Sequence, residues 1–196
     1  SVLLEREQPA TALAFLEKSL SLSHPADSIV RKLYALLTTG YRQSSSPEQA
    51  LRLCQQGRKL YPQDSELLFH EAILHREKHD LSSAIRCLEL LVQSREDQHF
   101  ASVDPTLREV KGRHNLAIAY RDVGRFADAV NQWNLLIQHD PHFLHAYLGL
   151  AELSLETASQ EAFDSLLATI SQLDPSCEEA VVLQARRCLI RKEYQQ

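Results

Sequence analysis

The sequence predicts an all-α chain, and three observations carry that expectation. Apolar residues recur at helical spacing almost throughout, as in Leu67, Leu68, Ala72, Leu74 and in Leu116, Ala117, Tyr120. Five glycines and seven prolines in 196 residues are too few for the turns of an all-β fold or the phosphate loops of an α/β enzyme. The same small-then-large pattern also returns along the chain. Ala12, Ala50, Ala84 and Ala129, with Phe163 as a bulkier counterpart, stand 38, 34, 45 and 34 residues apart. Larger packing residues follow four to five positions later on the same helix face: Leu16, Cys54, Leu88, Trp133 and Leu167.

This pattern assigns the elements in order. A lone helix is expected at 9–22, then helical hairpins at 27–61, 64–94, 105–139 and 142–173, and a last helix at 176–193. About five hairpins, counting the truncated first one, with the capping helix make about eleven helices. Pro25, Pro62, Pro141 and Pro175 follow the second helices, where proline stops a helix before the next begins. Arg186, Arg187, Arg191 and Lys192 lie near the end of the last helix, where cations suit the dipole and keep a terminal cap soluble. No interior boundary is evident, so 1–196 is expected to be a single array. The missing methionine and the uncapped start suggest a piece of a longer protein.

The 45-residue step places eleven extra residues between Leu91 and Lys111. Asp104 before Pro105 is a helix start, with an acidic cap and proline at the first helical position. The fourth hairpin is therefore expected to open with an overlong helix from Pro105. An ordered loop bearing His99 and Phe100 should precede it, loop and extended helix together lying at about 95–110.

In "NLAIAYRDVGRFADAVNQWNLLIQHDP", Leu116, Ala117, Tyr120, Gly124, Phe126, Ala129 and Pro141 fill the pattern of the tetratricopeptide repeat, which this sequence resembles over nearly its whole length. Departures are Thr38 and Phe163 at small-residue positions and Glu96 at a proline position. The resemblance implies a right-handed α-α superhelix of about five hairpins with a C-terminal capping helix, and a surface for protein partners. Further stretches, "FLEKSLSLSHPADSIVRKLYALL", "YPQDSELLFHEAILHREKHDL" and "HFASVDPTLREVKGRHNLAIAYRD", resemble the C-terminal region of bacterial family 2 glycosyltransferases that carry such repeats. That likeness implies a scaffold that holds a protein or glycan acceptor beside a catalytic domain. A stand-alone adaptor for a peptide or helix, and a structural or dimerising arm that self-associates, are the alternatives.

Composition narrows the classes further. A net charge of -5 disfavours nucleic acid. No apolar run approaches the length that spans a bilayer, and no secretory leader is evident, so the expected place is the cytoplasm, away from membranes. The cysteines Cys54, Cys87, Cys177 and Cys188 contain no C-x-x-C pair and are expected to be reduced packing residues. No enzyme activity, metal or cofactor is expected of this chain. His75 and His79 share a helix face, but Arg76 stands where the zinc pattern needs glutamate. "HDPHFLH", His139 to His145, fits a repeat junction, and Trp133 fits the core.

The candidate binding surface lies on the first helix of each hairpin, which lines the inner side of such arrays. Arg42, Arg76 and Arg121 recur at one repeat position. Lys32, Arg108, Lys111, His114 and Asn115 are placed to join them in a groove that is polar and basic at its centre, with Glu152 and Glu156 making the next helix acidic. Equally, the arginines serve to solvate the face by pairing with Glu77 and Asp122. Ala35, Thr39, Phe69 and Ile73 stand where the lysine and asparagine residues of carboxylate-capturing repeats are expected, which argues against that mode.

Overall fold

In a computed structural model, residues 9–94, 104, 106–157 and 159–193 are described. All regular structure among them is helical. Ten α-helices occur: α1 (Pro9–Leu22), α2 (Ser28–Gln43), α3 (Pro47–Leu60), α4 (Ser65–Glu77), α5 (Leu81–Gln93), α6 (Arg113–Asp122), α7 (Phe126–His139), α8 (Leu144–Glu156), α9 (Gln160–Leu173) and α10 (Glu178–Glu193). A π-helical turn, Leu107–Gly112, precedes α6. The chain divides into two units, Ser1–Gly112 and Arg113–Gln196, where the repeat pattern alone suggests one. None of the described helices is long and apolar enough to cross a membrane.

The alternation of helices follows from local chemistry. Proline opens α3 at Pro47, where its missing N–H costs nothing. Asp64 and Asp80 cap α4 and α5, accepting from the backbone N–H of Leu67 and Ser83. Ser45, His79 and Gly124 occupy the same place in three hairpin turns, and all have positive φ, 56°, 59° and 78°. Only glycine takes that conformation without strain. His79 is thus a turn residue, which accounts for it without a metal.

In unit 1 the small residues sit at helix crossings: Ala50 and Ala84 are fully buried. Its core joins Ala35, Ala50, Cys54, Leu67 and Leu74 with Tyr34, Tyr41 and Tyr61. Thr38 is buried at its small-residue position, and its hydroxyl donates to the Tyr34 carbonyl at 2.8 Å, so it leaves no polar group unsatisfied. The interior also holds charge. Arg31 is only 4% exposed and donates to Asp64 Oδ2 at 2.5 Å, while the other Asp64 oxygen keeps capping α4 at 2.8 Å. Glu71, 9% exposed, faces Arg58 at 3.6 Å and His75 at 3.8 Å.

Unit 2 is built differently. Ala129, Ala146 and Ala151 lie at its crossings, and Trp133, Phe163 and Ile170 fill its interior with no exposure. Phe163, at a position that favours a small side chain, is accommodated in a cluster with Ala151, Leu167, Ile170, Cys177, Ala180 and Leu183. Gly149 lets the indole lie against the α8 backbone. A Cβ there would come within 2.4 Å of Trp133 Cε2 and Cζ2.

Candidate partner-binding cleft

The sequence interruption is partly visible. Asp104 does start a helical segment: its carboxylate accepts from the Thr106 amide at 2.9 Å and the Thr106 hydroxyl at 2.6 Å. The turn that follows is π-helical where a regular overlong helix is expected. A Cβ on Gly112 would meet the Leu107 carbonyl oxygen at 2.8 Å and Leu91 Cδ2 at 3.0 Å, so the widened turn closes on a bare backbone. Pro105, Glu96, and the loop residues His99 and Phe100 lie outside the described residues.

Within each unit, several of the cations expected to line the groove are held by carboxylates. Lys32 pairs with Glu66 at 2.5 Å and Arg42 with Glu77 at 2.8 Å, each bridging α2 to α4. Lys111 pairs with Asp104 at 2.6 Å, and Arg108 donates to the Ser94 carbonyl at 2.7 Å and lies 3.5 Å from Glu109. Arg121 joins Asp122 at 3.1 Å and reaches from α6 to Glu152 on α8. Burial opposes the charge of Arg121, but the hydrogen bonds and attraction of Asp122 and Glu152 outweigh it and raise its pKa. Lys111 and Thr106 hold the Asp104 carboxyl down at about 2. Asn115 and Arg76 are both half-buried, on α6 and α4. Cations alternate with carboxylates because the repeat brings side chains 31 to 35 residues apart onto neighbouring helices, as for Arg121–Glu152 and Arg42–Glu77.

Unit 1 carries a second polar element on these helices. His70 Nε2 lies 3.4 Å from the Thr39 hydroxyl, and burial, followed by Arg42 and Lys32, pushes its pKa down to about 4. His70 is therefore neutral at pH 7.

Unit 2 holds a cavity of about 430 Å³ lined from α6, α7, α8 and α10. Two of the sequence candidates, His114 and Arg121, belong to it. Ile118, Leu148, Val182 and Leu183 supply apolar wall, and Trp133 closes the floor. His114 packs edge-on against Phe143 and His145, with ring centroids 5.7 and 5.8 Å away. Glu178, Glu179 and Arg186 complete the rim on α10.

The α10 contribution departs from the expected soluble cap. Val181, Val182 and Leu189 are 65%, 58% and 64% exposed, so the helix presents apolar surface. Its cleft residues continue the repeat. His114, Leu148 and Val182 are spaced by 34, as are Ile118, Glu152 and Arg186. That spacing was the available signal for Leu148, Val182 and Arg186 as cleft residues. His145 and Glu179 extend Lys111 in the same way.

No group of three His, Cys, Asp or Glu side chains among the described residues is placed to hold a metal. His75 instead lies 3.2 Å from Asp80. All four cysteines are free thiols, three of them buried. Burial, followed by the charge of Glu71, raises the Cys87 thiol to about 12, and Cys54 is raised in the same way. Neither is a nucleophile at neutral pH.

No family model and no curated protein matches the chain. Solved structures do. MamA is 14% identical, with 88% of this chain and 92% of that chain covered and a TM-score of 0.73. YrrB, a TPR protein with an unusual peptide-binding site, is 15% identical, covering 94% of this chain and 87% of its own at a TM-score of 0.73. The fold is that of a tetratricopeptide array. MamA from Desulfovibrio magneticus RS-1, residues 41 to the end, gives the same TM-score, 0.73, at 12% identity over 90% of this chain and 91% of that one.

Proposed function

We propose that this tetratricopeptide chain is a non-catalytic interaction scaffold that receives a protein or peptide segment in the unit 2 cleft. The observation that carries the reading is the cleft itself. Three successive first helices, α6, α8 and α10, contribute residues at equivalent repeat positions around a cavity of about 430 Å³. Its size is within the range, roughly 300–1,000 Å³, of pockets that bury a few side-chain-sized groups. The mixture of apolar wall and rim charge suits recognition of a segment, and the peptide-binding site of the similar YrrB fold supports that class of partner.

Selection from a displayed library of random peptides against the whole chain tests this. Binders should be recovered, and Leu148→Arg should abolish their binding while Arg42→Glu leaves it intact. Recovery of none, or binders indifferent to Leu148→Arg, would contradict the proposal.

The finer reading is that this array belongs to a bacterial glycosyltransferase and holds its protein or glycan acceptor. It rests on the three sequence stretches noted above. An upstream coding region with a nucleotide-sugar site would support it, and one without would contradict it. The free thiols favour a reducing compartment such as the cytoplasm.

A further inference from the structure

We infer that the cleft selects a cationic partner: an extended segment that sets an apolar side chain between α6, α8 and α10 and a neighbouring lysine or arginine against Glu178 and Glu179. The inference rests on the cleft being the binding surface, and it reverses the charge preference that a row of arginines suggests.

Arg121 is half-buried and already held by Asp122 and Glu152, so neither it nor Glu152 is open to a partner. Glu178 and Glu179 are exposed in the first turn of α10. Among the described residues neither has an ion-pair partner. Glu179 receives only the Cys177 thiol, at 3.5 Å. One cation, Arg186, stands two turns further along α10, also exposed and without a described ion pair. Two open carboxylates against one open guanidinium leave the mouth net negative.

The apolar half of the site is equally specific. Val182 is 58% exposed although it faces the cavity with Ile118 and Leu148. Below it lies Trp133, fully buried, whose indole N–H has no acceptor among the described residues. An apolar side chain entering here removes the Val182 surface from water at about 25 cal/mol per Å². The carboxylates add direction. One turn of α10 separates Glu178 and Glu179 from Val182 and Leu183, so the cation and the apolar anchor belong on adjacent or alternate residues of the partner.

Synthetic peptides that alternate leucine with lysine, serine or glutamate provide the probe, measured by fluorescence anisotropy against the whole chain. The lysine series should bind at least about tenfold tighter than the serine series, with the preference shrinking as salt rises. Glu178→Gln with Glu179→Gln should bring the lysine series to the serine level without loss of serine-series binding. Arg186→Gln should move the lysine series the other way, to tighter binding. Unchanged melting curves keep both variants interpretable, and since all three residues are exposed, neither substitution disturbs the core. A preference for the glutamate series, or no change on removing both carboxylates, would overturn the inference while leaving the cleft a binding site. Binding that Leu148→Arg does not abolish would instead overturn the cleft as the binding surface.

Discussion

Unit 1 and unit 2 repeat the same hairpin but hold it together by different means. Between its hairpins unit 1 buries Arg31 against Asp64 and Glu66, and Glu71 against Arg58 and His75. Among the described residues unit 2 buries no charged side chain, and Trp133, Phe163, Leu167 and Ile170 fill its interior. Buried ion pairs contribute little net stability yet penalise any arrangement that separates them, whereas apolar burial is non-directional. The first unit is therefore fixed in register by charge. The second tolerates a cavity, because an apolar wall left open costs only its own burial.

The largest effects should separate the two kinds of core. Arg31→Met strands Asp64, while Glu66 keeps Lys32, and should cost about 3–5 kcal/mol, with part recovered by adding Asp64→Asn, which still caps α4. Trp133→Ala should cost a similar ~3–5 kcal/mol through lost burial and the cavity left behind. Hydrogen exchange resolved by segment distinguishes them, with protection lost first in α2 and α4 for the former and in α7 and α8 for the latter. Loss spread equally over both units would break the comparison.

Acid should act next, and on unit 1. The His70 pKa falls from 6.5 to about 4 on folding, so the unfolded chain binds the extra proton between those values. Stability must then drop as pH falls from 6.5 and level off, for this group, below 4. Full protonation costs about 3 kcal/mol at ~1.4 kcal/mol per pKa unit. Arg42 and Lys32 oppose the proton and Asp64 favours it. His70→Gln should flatten the profile in that window, as measured by denaturant midpoints.

Backbone substitutions should have smaller effects. Gly112→Ala should cost about 1–3 kcal/mol by pressing a methyl on the Leu107 carbonyl and Leu91, and Gly149→Ala a comparable amount against Trp133. His79→Gly should stabilise by up to about 1 kcal/mol, since a positive φ strains any side chain. Thermal melts of the three variants give these signs directly.

Much of this arrangement was legible in the sequence. Ala50, Ala84 and Ala129 announce the helix crossings because no larger side chain fits there, and the 45-residue step announces the interruption. The ion pairs were only partly legible: Asp122 stands beside Arg121 in sequence, but Glu66, Glu77 and Glu152 partner their cations from the next first helix. The π-helical turn left no pattern beyond Gly112, where a Cβ would meet the Leu107 carbonyl and Leu91. Glu178, Glu179 and Val182 are hard to read as site residues because a helix at the end of the array suggests a soluble cap, although the 34-residue spacing from Leu148 reaches Val182.

Amide hydrogen exchange of the whole chain, with and without a saturating alternating leucine–lysine peptide, shows whether unit 2 receives the partner. Added protection is expected in α6, α8 and α10, and none in α2 and α4. Protection confined to α2 and α4 would place the partner on the ion-paired face of unit 1 and rule out the unit 2 cleft.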